Sequence, residues 1–170
     1  TLVCREDKML ESKIISGISF SKEEAKITLT GVDDKPGVAA AIFGPLSESG
    51  INVDMIIQNI SENNSTDLTF SCPSSQVLEA EEAIKMASKK KEISFKTHII
   101  DTNVAKVSLV GIGMRSHTGI AKKMFEALAS ENINILVIST SEIKISILVE
   151  QKYMELAVQT LHDAFELEKP

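Results

Sequence analysis

The chain has 170 residues, with 43% apolar and 25% charged side chains and a formal charge of −6. This is the usage of an ordinary folded protein of one or two domains, and it excludes disordered, collagen-like and coiled-coil chains. An acidic chain with 4% aromatic residues and no tryptophan lacks the positive field and stacking faces that nucleic acid requires, so no nucleic-acid partner is expected.

No apolar run reaches the roughly 18–20 residues of a membrane span, so no membrane partner is expected either. No signal-peptide pattern opens the chain. Cys4 and Cys72 are too few and too far apart for a disulfide framework or a zinc site, which points to a reducing cytoplasm.

Taken in chain order, Lys13 to Phe20 reads as a strand with no evident partner. Ala25 to Gly31 alternates Ile27, Leu29 and Gly31 with Lys26, Thr28 and Thr30, a strand pattern. After the loop Val32-Asp33-Asp34-Lys35-Pro36, Val38, Ala41, Ile42 and Leu46 fall at helical spacing. Pro45 inside that helix predicts a kink or a late start. Ile51 to Ile60 and Asp67 to Cys72 read as strands joined through the turn Ser61-Glu62-Asn63-Asn64-Ser65. Leu78 to Lys91 reads as a helix whose Lys89-Lys90-Lys91 end suits the macrodipole, and Ile93 to Asp101 as a strand. A second set follows: strand Ala105–Gly111, helix Ile120–Ser130, strands Ile133–Ser139 and Glu142–Val149, and helix Tyr153–Phe165.

The two sets are copies. Ala25-Lys26-Ile27-Thr28-Leu29-Thr30-Gly31 aligns with Ala105-Lys106-Val107-Ser108-Leu109-Val110-Gly111, and Gly37-Val38-Ala39 with Gly119-Ile120-Ala121. Each follows the order βαββαβ, which predicts an α+β fold: two ferredoxin-like units, each an antiparallel four-stranded sheet with two helices on one face. The second copy lacks its last strand, and strand 13–20 lacks a partner. Joining them predicts that one domain, residues 24–101, is inserted in the other, residues 1–23 plus 102–170.

Chemistry would sit in the loops before the helices. Pro36 and Gly37 open the first helix, whose free amides near Gly37, Val38 and Ala39 suit a carboxylate. Asp34 beside them suits an ammonium, and Asn52 and Gln58 could fix a side-chain group. Together these fit a free α-amino acid. A plain helix cap and turn would use the same residues. In the second copy, Gly111-Ile112-Gly113-Met114-Arg115-Ser116-His117-Thr118-Gly119 imitates a dinucleotide fingerprint. It lacks the third glycine, and the following strand is not parallel, so it reads as a second helix-end site, with His117 either a ligand contact or an exposed loop residue. Ser139-Thr140-Ser141-Glu142 puts polar groups at a strand end, where a simple hairpin is the other reading. His98 and His162 have no partner spaced for metal, and no nucleophile with a histidine and carboxylate set is evident, so no metal and no catalytic residue is expected.

Asp34-Lys35-Pro36-Gly37, Ile51 to Asn59 and Asp67-Leu68-Thr69-Phe70 resemble the regulatory region of aspartokinases, a tandem pair of ACT domains. So do Lys106 to Gly111, Ser116-His117-Thr118-Gly119 and Ile138 to Ile143, while Thr1-Leu2-Val3 resembles the tail of the linker after the kinase domain. The resemblance implies a module for feedback inhibition in aspartate-family amino-acid biosynthesis, with threonine, lysine or both as effectors. It implies a homodimer formed through the ACT domains, and a partner in the aspartokinase catalytic domain or subunit, where ATP and Mg would bind. No cofactor is expected in this chain, and no activity of its own. By the same resemblance, Asn132, Asn134, Ile135 and Ser141 would join Asp34, Pro36, Gly37, Val38, Ala39, Asn52 and Gln58 in one effector site. Met114, Ser116, His117, Gly119, Ile120 and Ala121 would form a second. Thr118 stands where the family often has proline. A free-standing ACT sensor acting on another enzyme or a transcription system is the alternative.

Overall fold

The computed structural model describes residues 14–60, 63–114 and 117–167. Ser116 and Arg115, Cys4, the Thr1–Val3 segment, Lys13 and the Ser61-Glu62 pair lie outside the described residues. The chain divides into two compact units. An inserted unit comprises Glu23–Thr102; a flanking unit takes the described residues up to Lys22 and from Asn103.

Strand β1 runs Ile15–Asp33 and β4 runs Thr97–Gly111, and each serves both units. The two strands read from the sequence at 13–20 and 25–31 are therefore one continuous strand, as are those at 93–101 and 105–111. Local alternation fades at the exposed residues Lys22 and Glu23 and at Thr102 and Asn103, and this loss of pattern imitates a loop.

In the inserted unit the strand order is β2-β3-β1-β4, with β2 at Ile56–Ile60 and β3 at Ser65–Pro73. The antiparallel β1–β3 ladder sets Ile27 opposite Phe70 and Leu29 opposite Leu68, then slips before Val32, which faces Thr66. Gly31 takes the extra residue of this bulge at φ 61°, and its amide donates to Asp67 Oδ1 at 3.0 Å. Helices α1 (Val38–Glu48) and α2 (Val77–Lys89) cover one face. Val38, Ile42 and Leu46 on α1 and Ala80, Ile84 and Ala87 on α2 are buried against Ala25, Ile27, Leu29 and Phe70. Phe43 meets Phe70 edge to face at 5.6 Å.

Helix α1 starts at Val38, so Pro45 does not delay it. The proline lies in the eighth position, where it removes a backbone donor, while the flanking Leu46 is fully buried. Only Ile56–Ile60 forms a regular strand in the segment read as 51–60. Before it, the Asp54 amide donates to the Ser71 carbonyl and the Met55 amide to Ser71 Oγ.

In the flanking unit the order is β1-β4-β6-β5, with β5 at Val137–Thr140 and β6 at Lys144–Glu150. Val107 pairs with Ile147 and Leu109 with Ile145 across β4 and β6. The start of β1 completes this sheet: the Ile112 amide donates to the Ile14 carbonyl at 3.2 Å and Ser16 Oγ to the Val110 carbonyl at 3.1 Å. Helices α3 (Thr118–Ser130) and α4 (Met154–Ala164) bury Ile120, Met124, Leu128, Ala157 and Leu161 against it. The fold is thus α+β, two ferredoxin-like units with one inserted in the other.

The four helices α1–α4 of the described residues end in one manner. Gly50, Lys91, Asn132 and Glu166 adopt positive φ of 72°, 59°, 56° and 51°, and each closes its helix with a pair of backward amide bonds. Among the described residues, no helix is long and apolar enough to cross a membrane.

Candidate functional site

In the inserted unit the bulge at Gly31 ends β1 and sends the chain into the exposed loop Asp33–Gly37. The Asp34 amide donates to the Asn64 carbonyl at 2.9 Å, which ties the loop to the β2–β3 turn. Gly37 caps α1 at φ 91°, a conformation that disfavours any residue with a Cβ, and a Cβ built there would meet nothing within 4 Å. The backbone is therefore open to an approaching group. No side chain caps α1, and its first i→i−4 bond is Ala41 N–H to Gly37 O at 3.0 Å. The Ala39 and Ala40 amides lie ahead of that bond, at the positive end of the helix dipole. The Val38 amide is already engaged, donating to Lys35 O at 3.3 Å.

A cleft of about 200 Å³ adjoins this helix start, lined by Asp33, Lys35, Gly37, Val38, Lys91 and Ser94 among others. Two ammonium groups and two carboxylates, the second from Glu92, border it. Asp34 stands exposed in the same loop, one residue beyond the cleft-lining Asp33. Gln58 lies exposed on β2 opposite Leu68, two strands from β1. Asn52 is placed elsewhere. It follows the far end of α1, about 16 Å along the helix axis from Gly37 at 1.5 Å per residue. There its amide donates to Gln76 Oε1 at 2.9 Å.

The remaining residues fall in the flanking unit. Asn132 forms the left-handed turn after α3, and Asn134 and Ile135 follow it. Ser141 sits in the β5–β6 turn, where its amide donates to Lys144 O at 2.8 Å and its Oγ accepts from the Lys144 amide at 3.2 Å. It shares a cleft of about 290 Å³ with Met114, His117, Thr118, Ala121, Thr140 and Ile145. The structure thus gathers Ser141 with the second set of predicted residues. The Met114 amide donates to Glu142 O at 2.9 Å, joining the loop after β4 to the β5–β6 turn.

His117 Nδ1 lies 2.8 Å from Gly113 O; a carbonyl only accepts, so Nδ1 carries the proton. In the neutral ring Nε2 is then an acceptor. Gly119 is exposed at the helix start, Ile120 is fully buried in the core, and the Ile120 amide is held by His117 O at 3.2 Å. Met114 is buried with its side chain on the cleft wall. Thr140 lines the cleft from within the polar run that the sequence singles out, whereas Ile145 lies beyond that run and reads as an ordinary apolar strand residue. Lys91 and Ser94 were missed because they meet α1 only through packing of the two helices.

No cluster of metal-ligating side chains occurs among the described residues. The Cys72 thiol is buried, and burial, with the Glu24 carboxylate second, pushes its pKa up to about 11, so it is no nucleophile near neutrality.

Residues 26–85 and 107–165 each match an ACT domain. The chain is 53% identical over 165 residues to an aspartokinase of Pseudomonas aeruginosa, a match that takes 97% of this chain and 40% of that protein. It is 46% identical, at a TM-score of 0.81, to a chain from the crystal structure of aspartokinase alpha and beta subunits, and covers 99% of it. It is 38% identical, at a TM-score of 0.83, to the ligand-free regulatory subunit of aspartate kinase from Thermus thermophilus, again covering 99%.

Proposed function

We propose, for a chain that belongs to the ACT-domain regulatory family of aspartokinases, that it binds threonine, lysine or both and carries feedback inhibition to a catalytic portion. The chain spans only two-fifths of the curated aspartokinases it matches, so kinase activity, with its ATP and Mg, belongs in this reading to that other portion. Homodimerisation through the ACT units is part of the same proposal.

The observation that carries the reading is the uncapped start of α1 at Gly37, open to a ligand and flanked by Asp33 and Asp34. Carboxylate at the amides and ammonium at the acid side chain is the pairing a free amino acid needs. The cleft at α3 lies at the matching helix start but lacks the acid side chain of that pairing among the described residues. It offers the hydroxyls of Thr118, Thr140 and Ser141 and one imidazole there. That lining suits a short hydroxy side chain such as threonine's, whereas Asp33 and Glu92 around the first cleft suit lysine's second ammonium.

Isothermal titration with each amino acid tests the proposal. Heat at millimolar threonine or lysine is expected, weakened in Asp34→Ala with the melting temperature retained. A flat titration with both amino acids sinks the reading.

A further inference from the structure

The cleft at α3 has no acid side chain in its described lining, yet an amino-acid effector brings an ammonium that needs an acceptor. Ser141 Oγ does not supply one. It donates to Lys144 O at 3.4 Å and accepts from the Ile143 and Lys144 amides at 3.4 and 3.2 Å, so its proton and both lone pairs are taken. Thr118 Oγ1, Thr140 Oγ1 and His117 Nε2 have no hydrogen-bond partner among the described residues. The imidazole nitrogen is the strongest base of the three, and its role is fixed. Nδ1–H donates to Gly113 O at 2.8 Å, and the ring lies against Gly113, its Cε1 3.8 Å from where a Cβ there would stand. The His117 backbone is held on both sides, its amide by Met114 O and its carbonyl by the Ile120 amide. In the neutral ring Nε2 therefore keeps a bare lone pair on a fixed support. No other titratable side chain stands in the described lining. Of the charged groups on the surrounding elements, Lys122 of α3 pairs with Glu126 at 3.7 Å and Lys123 lies over the Phe165 ring at 5.0 Å. Glu142 and Lys144 of the β5–β6 turn stay out of the lining, and Arg115 is outside the described residues.

We infer that Nε2 of the neutral His117 ring takes the effector's ammonium in this cleft, so that the cleft fills while the imidazole is uncharged and empties when it is protonated. This rests on the regulatory reading above. Protonation acts twice: it removes the lone pair that accepts the ammonium, and it sets one cation against another. Imidazole is the side chain that changes charge between about pH 5 and pH 8, so the loss falls close to neutrality. The cleft at α1 draws on carboxylates, which as a class change charge far lower, near pH 4. The two clefts thus answer differently to mild acid, and threonine, the effector assigned to the α3 cleft, is the one released.

The test is calorimetric titration with threonine at about pH 6 and about pH 8, at each pH in two buffers of different ionisation heat. His117→Gln is titrated beside the unsubstituted chain, because its amide oxygen still accepts a hydrogen bond but gains no proton. In the unsubstituted chain threonine should bind about threefold or more weakly at the lower pH, and binding there should release a proton, read as buffer-dependent heat. In His117→Gln both effects should vanish, with the melting temperature retained. Equal affinity at the two pH values overturns the inference and leaves the effector reading standing. So does tighter binding at the lower pH, which would put the carboxylate on an imidazolium, and so does the same fall in His117→Gln. Heat from lysine but none from threonine also overturns it. No heat from either amino acid at either pH ends the effector reading and this inference with it. Should His117→Gln fail to fold, NMR titration of the His117 ring in the unsubstituted chain decides. Saturating threonine should move its midpoint to lower pH, and an unmoved midpoint overturns the inference.

Discussion

Ser108 on β4 and Ser146 on β6 stand opposite each other in the ladder, hydroxyl to hydroxyl at 2.7 Å, and both are buried. Thr28 and Thr69 repeat the pairing in the inserted unit at 3.0 Å. The buried serines satisfy one another within an apolar sheet, so the cost of burying both is met locally, and the threonine pair does the same at a half-buried position. Ser108→Ala should destabilise the fold by about 1–2 kcal/mol, because Ser146 loses its partner. The double variant with Ser146→Ala should be less destabilised than the sum of the two single variants. Urea unfolding of the four proteins gives the coupling, and strict additivity would show that the hydroxyls do not support each other.

Glu166 and Lys91 hold left-handed turns that glycine takes without a Cβ clash. Glu166→Gly and Lys91→Gly should each raise stability by roughly 0.5 kcal/mol, the strain relieved exceeding the entropy added to the unfolded chain. Gly50→Ala, at the matching position of α1, should lower it. Thermal melts of the three variants check the signs.

Gly111 ends β4 where a Cβ would collide with the Ile14 carbonyl oxygen and, at 2.9 Å, with Met114 Sδ. The Ile14 carbonyl is backbone held by the Ile112 amide and cannot retreat without breaking that bond. Gly111→Ala should therefore cost about 2 kcal/mol or more and loosen the seating of β1. Hydrogen exchange should show faster exchange at Ile112, and unchanged protection there would refute the close approach.

Glu81 on α2 accepts from Lys85 Nζ at 2.6 Å and lies 2.8 Å from His98 Nε2 on β4. The Lys85 hydrogen bond first, and that of His98 second, hold its carboxyl below the ordinary glutamate value. A carboxyl depressed by folding stabilises the fold above its unfolded value, and that stability is lost as pH falls through the folded value. Glu81→Gln should lower the melting temperature at pH 7 and flatten its decline below about pH 4.5. Parallel melting curves for the two proteins across that range would remove Glu81 from the account.

Burial raises the Cys72 thiol to about 11, so the folded state disfavours the thiolate. Its contribution to stability is full below the unfolded value near 9 and is lost as pH rises towards 11. The thiol should react with a disulfide reagent at pH 8 only at the rate of unfolding. Prompt modification of Cys72 itself in the folded protein, counted apart from Cys4 by peptide mass, would contradict its burial.

Much of this architecture is legible in a single sequence because burial repeats with a short period. Ile27 and Leu29, or Val38, Ile42 and Leu46, declare a face within a few residues, and duplication states each unit twice. The open helix start at Gly37 is legible for the same reason, since the glycine and proline that make it are neighbours in the chain. Where alternation stops at Lys22 and Thr102 the pattern falls silent, because two successive exposed residues there carry no burial contrast to mark a strand, although the backbone stays extended. The clefts were only half visible. Lys91 meets α1, and Thr140 meets His117, only after helices and turns distant in sequence are brought together. The separation of Asn52 from Gly37 depends on the length of α1, and the grouping of Ser141 with His117 on the β5–β6 turn. Period and composition settled which faces are inside; long-range packing decided which loops became neighbours, because loop closure brings together residues whose identities carry no mark of one another.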